Sequence, residues 1–137
     1  MATLRLSGRS VEVVITPEDR TFTIGERCNA LAYKKVRQSV EAGDFSEVLA
    51  RARLQVQAGA DVLNINMVGT SRPEEELLPE AVERMAAAVD VPLSIDFGSL
   101  AALEAALKVA PGRALINSVN GEDSKLLPVL ELAAKYK

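Results

Sequence analysis

The chain has no histidine at all and a single cysteine, Cys28. Without an imidazole, neither a Ser-His-Asp nor a Cys-His machine can be assembled, and a protein-held zinc ion lacks its usual ligands. Proton chemistry therefore falls to carboxylates, amides, Tyr, Lys or bound water. One thiol cannot form an internal disulfide, so a reducing cytoplasm is the expected compartment. No apolar run approaches the length of a membrane span, and Met1-Ala2-Thr3-Leu4-Arg5 lacks the apolar stretch of a signal peptide. The glycines form neither a dinucleotide fingerprint nor a phosphate-binding P-loop. A net charge of −3 offers nothing to nucleic acid or to an anionic membrane. No metal, nucleic-acid or membrane partner is expected.

What is present is a rhythm. Four times a short apolar strand pattern ends in polar residues and runs on into a helical pattern: Phe22-Thr23-Ile24-Gly25-Glu26, Val62-Leu63-Asn64-Ile65-Asn66, Leu93-Ser94-Ile95-Asp96 and Ala114-Leu115-Ile116-Asn117-Ser118. Alternation of this kind predicts an α/β fold with a parallel sheet whose carboxyl ends carry the working groups. Four parallel βα units amount to half of a (β/α)8 TIM barrel. Ahead of them, Leu4 and Leu6, a turn at Ser7-Gly8-Arg9-Ser10, and Val11, Val13 and Ile15 read as an N-terminal β-hairpin covering apolar surface. The 137 residues suffice for one domain, with the hairpin and turn in 1–20 and the four units in 21–137.

The helices are signalled by their starts and stripes. A short pattern runs from Tyr33 to Val40, with Lys34, Lys35 and Arg37 on a solvated face. Asp44-Phe45-Ser46-Glu47 has capping-box spacing and opens a helix that ends near Gly59. Ser71-Arg72-Pro73-Glu74 opens the next, which Pro79 is expected to bend or restart. Leu100, Leu103, Leu107 and Ala110 mark a third stripe. From Glu122 to Tyr136, Leu126, Leu127, Leu130 and Ala133 are expected to face inward.

Strand parity then separates the side chains. Leu63, Ile65 and Met67 share one face, as do Leu93 with Ile95 and Ala114 with Ile116. The opposite face collects Asn64, Asn66, Ser94, Asp96 and Asn117. Barrel interiors usually hold branched apolar side chains, so a face this polar reads as the wall of a pocket for a hydrogen-bonding ligand. Asp96 suits a planar amino-heterocycle, since an ionised carboxylate accepts two N–H bonds strongly. The competing role is an N-cap for the helix near Ser99. Asn117, donor and acceptor in one group, suits a ring nitrogen whose protonation changes; alternatively it is a turn residue before Val119-Asn120-Gly121. Asn64 and Asn66 satisfy each other or loop backbone in the plainer reading. Glu26 is assigned a structural role, and Gly69-Thr70-Ser71 is a loop with too few glycines for an anion site.

Ile24-Gly25-Glu26-Arg27-Cys28-Asn29, Ala58-Gly59-Ala60-Asp61-Val62-Leu63-Asn64-Ile65-Asn66, Val91-Pro92-Leu93-Ser94-Ile95-Asp96 and Ala114-Leu115-Ile116-Asn117-Ser118 together resemble the pterin-binding domain of methyltetrahydrofolate:corrinoid methyltransferases. That family shares its barrel with the folate domain of cobalamin-dependent methionine synthase and with dihydropteroate synthase. The resemblance covers residues 22 to 137. It implies a reduced folate as substrate, with Asp96 on the pterin ring, Asn117 near N5 as the catalytic amide, and Asn66 and Asn29 lining the pocket. It further implies methyl transfer from N5 to a corrinoid cobalt supplied by a partner protein. Where the family usually has Asp, this chain has Asn64, and Phe97-Gly98 replaces small polar residues. Four units leave two sheet edges open, so a homodimer or pairing with a second half-barrel is expected. The alternatives are a non-catalytic folate-binding or assembly module and a barrel fragment without ligand.

Overall fold

A computed structural model describes residues 3–136; Met1, Ala2 and Lys137, counted above within the hairpin segment and the last unit, lie outside the described residues. The elements follow in the order β1 (Leu4–Ser7), β2 (Glu12–Ile15), β3 (Ile24–Asn29), α1 (Lys34–Glu41), α2 (Ser46–Gln57), β4 (Val62–Asn66), α3 (Glu74–Ala88), β5 (Leu93–Asp96), α4 (Leu100–Val109), β6 (Leu115–Asn117) and α5 (Asp123–Tyr136). Strands β3-β4-β5-β6 form one parallel sheet in sequence order, and β1 and β2 pair separately as an antiparallel hairpin. The architecture is half a TIM barrel preceded by a hairpin.

The apolar parity set drives the sheet against its helices. Leu63, Ile65 and Met67 are fully buried, as are Leu77, Leu78 and Met85 of α3 and Leu103 of α4. Each such side chain contributes about 1.5–3 kcal/mol relative to exposure. Burial reaches both sides of β4, whose five residues are all sequestered.

Strand β3 differs from the expectation. It starts at Ile24 and continues to Asn29, with a bulge between Gly25 and Cys28. The Arg27 N–H that the bulge removes from the ladder donates to Gln55 Oε1 at 2.9 Å. Gly25 is needed there because a Cβ would lie 2.6 Å from Gln55 Oε1 and 2.8 Å from Leu63 Cδ2. The bulge restores parity, so that Cys28 faces the helices and Asn29 the other side.

Helix α3 runs through Pro79 without restarting, which leaves the bend of the two expected outcomes. Two other helices depart from their predicted patterns. In α5 the inward residue is Val129, while Leu127 and Leu130 are 55% and 51% exposed. At the flank of the helix layer the richer leucine stripe lacks a neighbour to pack on, and the stripe nearer α4 is the one that docks. In α4 Leu103 is buried as expected and Leu107 and Ala110 pack partly against the core, but Leu100 is exposed and Ala102 and Ala106 are buried as well.

The hairpin sits at the amino-terminal end of the sheet. Ser7 N–H donates to Arg113 O at 3.0 Å, ahead of β6. Ser10 N–H donates to Asp90 Oδ1 at 2.9 Å, ahead of β5. Leu6 is buried there. The opposite, carboxyl-terminal end of the sheet is left free of it. No helix among the described residues is long and apolar enough to cross a membrane.

Candidate functional site

Register alone assembles the site. Asn29 pairs with Asn66, Asn66 with Asp96, and Asp96 with Asn117, so four polar side chains form one row at the strand ends. One layer deeper, Asn64 pairs with Ser94 and Ser94 with Leu115. Asn29, Asn64, Asn66, Asp96 and Asn117 all lie on the face turned away from the helices.

The hydrogen bonds assign each a task. Asn66 Oδ1 accepts from Val68 N–H at 2.8 Å, which fixes its amide. Its Nδ2 donates to Asp96 Oδ2 at 2.9 Å, which fixes the carboxylate. Asp96 is not a helix cap: Ser99 takes that role, its hydroxyl accepting from Ala102 N–H at 3.2 Å. Asp96 Oδ1 takes no protein donor among the described residues and remains an open acceptor. Asn117 is no mere turn residue either, since its Nδ2 donates to Asn64 Oδ1 at 3.1 Å. The small Ser94 between them on β5 leaves room for that reach. With Nδ2 spent there, Asn117 Oδ1 is left as a second acceptor with no protein donor among the described residues.

Asn64 is fully buried, and its Nδ2 has no partner among the described residues. A buried donor left unpaired costs about 1–3 kcal/mol, and this one is shielded from the rim by its own burial. Asn64 and Asn66 do not bond each other. Asn29 is the most committed of the row. Its Oδ1 accepts from Ala32 N–H at 2.9 Å and its Nδ2 donates to Glu26 Oε1 at 2.6 Å, so it shapes the loop after β3.

Three residues support the row, and of these only Glu26 was given a structural role from the sequence. Gln55 braces the β3 bulge, Glu26 holds Asn29, and Glu74 Oε1 accepts from Gly98 N–H at 2.7 Å, tethering the loop that follows Asp96. Glu74 had a local signal only as part of the helix opening at Pro73-Glu74, and Gln55 had none. Beside the rim, a groove of about 400 Å³ lies between Phe97, Leu100, Val119 and Val129. The Gly69-Thr70-Ser71 loop offers no anion cradle, because Glu41 already accepts the Ser71 N–H at 2.7 Å. Among the described residues, no three His, Cys, Asp or Glu side chains gather where they could hold a metal. Cys28 is sealed against α2, and burial pushes its thiol up to about 11.

Residues 25–137 match the family described as pterin binding enzyme. The chain belongs to the pterin-binding enzyme family. The match takes in all four strands of the parallel sheet beyond Ile24, and with them the whole polar row. Among curated relatives, methionine synthase of Mycobacterium leprae (strain TN) is 31% identical over 118 residues, covering 82% of this chain. Methionine synthase of Mycobacterium tuberculosis (strain ATCC 25618 / H37Rv) is 34% identical over 120 residues, covering 84%. This pterin-binding chain spans 10% of the length of each of these relatives.

Proposed function

We propose that the chain binds a reduced folate by its pterin ring at the row Asn66-Asp96-Asn117, and serves methyl transfer from N5 of methyltetrahydrofolate to the cobalt of a corrinoid held by another protein or domain. The observation that carries this reading is the Asn66–Asp96 pair, an oriented carboxylate with one oxygen unspent at the end of a parallel strand. A pterin presents adjacent N–H donors on its pyrimidine edge, and an ionised acceptor binds such donors more strongly than a neutral one. The corrinoid cobalt is the methyl acceptor and comes with the partner.

The chain's own part is to orient the ring and stabilise charge. For the methyl group to leave, N5 must carry proton character. Asn117, with its Nδ2 spent on Asn64, keeps Oδ1 as the acceptor this reading assigns to an N–H at that atom. Asn64 acts through Asn117, and Asn29 acts through the loop it holds. A cytoplasmic setting goes with this chemistry.

Calorimetric titration with methyltetrahydrofolate tests binding, and methylation of reduced cobalamin, followed by cobalt absorbance, tests transfer. Saturable binding with transfer is expected. Absence of binding refutes the reading. A second reading, a non-catalytic folate-holding or assembly module, is favoured by how far the polar groups of this face are already spent on one another, Asn66 on Asp96 and Asn117 on Asn64; binding with no transfer to any corrinoid would select it.

A further inference from the structure

Asp96 is the last residue of β5, paired with Asn66 on one side and Asn117 on the other. Past it the backbone leaves the sheet through Phe97 and Gly98 and enters α4 behind its cap, Ser99. A carboxylate at such a strand end is aimed by two things, the bond to its own oxygen and the course of the backbone just beyond it. Both are held from the neighbouring unit. Asn66, ending β4, donates to Asp96 Oδ2 at 2.9 Å, and Glu74, opening α3, accepts the Gly98 N–H at 2.7 Å.

The connection that carries these two arms is itself tied down. Asn66 Oδ1 accepts the Val68 N–H at 2.8 Å, and the Thr70 hydroxyl donates to Met67 O at 3.1 Å. Ser71 N–H donates to Glu41 Oε1 of α1 at 2.7 Å, and the Arg72 guanidinium reaches Glu80 at 2.9 Å. Helix α3 opens with three acids, Glu74, Glu75 and Glu76. All three suit the positive end of the helix dipole, so the dipole does not distinguish them. Glu75 and Glu76 stay exposed, whereas Glu74 is half-buried and turned across to the next loop. Gly98 is fitted to that carboxylate: a Cβ there would lie 2.9 Å from Glu74 Oε2 and 3.4 Å from Val68 Cγ2.

We propose that Glu74 is a positioning residue for Asp96: by holding the Gly98 N–H it fixes the backbone on which the carboxylate stands, and so sets the affinity of the rim. It acts through Asp96 and touches no ligand itself. A displacement of about 1 Å at a binding group can cost on the order of 100-fold, and a tether at the surface accounts for part of that. The choice of ligand in the test rests on the pterin reading; the tether does not.

In calorimetric titration, Glu74→Ala should weaken methyltetrahydrofolate binding by roughly five- to tenfold. Glu74→Gln, which keeps an acceptor oxygen, should stay within about threefold of wild type, and Glu75→Ala, with the same loss of charge, should match it. In an Asp96→Asn background, where no anionic acceptor is left to aim, Glu74→Ala should cost no more than about twofold further. Gly98→Ala, whose methyl should displace the Glu74 carboxylate, should reproduce the Glu74→Ala loss and add nothing to it. Equal losses in both backgrounds, or a Gln variant no better than Ala, would overturn the proposal. With no ligand added, the Gly98 amide and Asp96 carboxyl resonances should move in Glu74→Ala and return in Glu74→Gln; an Asp96 resonance that stays in place would overturn it as well. A wild type that binds no folate removes the pterin reading, and these resonances then decide the role of Glu74 alone.

Discussion

Replacing Asp96 by Asn isolates the charge at the centre of the candidate site. An amide keeps the shape and can still present an oxygen to Asn66 Nδ2, so the 2.9 Å bond between them survives. What changes is the second position, where an unspent anionic acceptor becomes an NH₂ donor facing the ligand. Hydrogen bonds to charged groups contribute about 1.5–3 kcal/mol against roughly 0.5–1.5 for neutral ones. Losing the charge, and with it one acceptor, should therefore weaken pterin binding by about 1–3 kcal/mol, roughly five- to 150-fold in Kd. Asp96 is half-exposed, so stability should move by no more than about 0.5 kcal/mol. Titration calorimetry with methyltetrahydrofolate, beside a thermal melt of the same samples, reads both quantities. An affinity within twofold of wild type at unchanged stability would refute the role given to Asp96.

Gly25→Ala should destabilise the fold by about 1–3 kcal/mol, because the new methyl meets a Gln55 that is held by the bulge and a Leu63 with nowhere to go; a denaturant melt indistinguishable from wild type would contradict the packing described. Stability should also fall in acid. The hydrogen bond from Arg20, then that from Thr23 N–H, holds the Asp61 carboxyl below its ordinary range, and Ser10 does the same for Asp90. Carboxyls depressed in the folded state stabilise it fully above their unfolded value of about 3.9, and that stabilisation disappears as pH falls through the folded value. Tm should thus be level from pH 7 to about 5 and drop below about 4, with Asp61→Asn flattening part of the drop; an acid limb unaffected by that substitution would count against it. Cys28, buried and shifted to about 11, should resist iodoacetamide at pH 8 in the native protein and react quickly in urea; equal rates in the two conditions would mean the strand and α2 part readily.

Much of this was legible because strands have a period of two. Once Leu63, Ile65 and Met67 were assigned to the helices, Asn64 and Asn66 could only face the other way, and the same parity placed Ser94, Asp96 and Asn117. Parallel pairing then brought equivalent strand ends level. The bulge in β3 was hidden because two charged residues in a row, Glu26-Arg27, read as the end of the strand pattern and not as an extra residue within it. The packing of α5 was misread because leucines occupy more than one stripe, and at the border of a helix layer the richest stripe need not be the buried one. Gln55 and Glu74 act on backbone 28 and 24 residues away, respectively, a relation that no spacing in the chain encodes.

The level row of Asn29, Asn66, Asp96 and Asn117 has a metric consequence. Neighbouring strands stand about 4.8 Å apart, so the row is graduated at that interval and runs to roughly 14 Å from end to end. A fused two-ring heterocycle is shorter than that, so on the pterin reading proposed above a ring held at Asp96 meets the strand on either hand without covering both ends of the row at once.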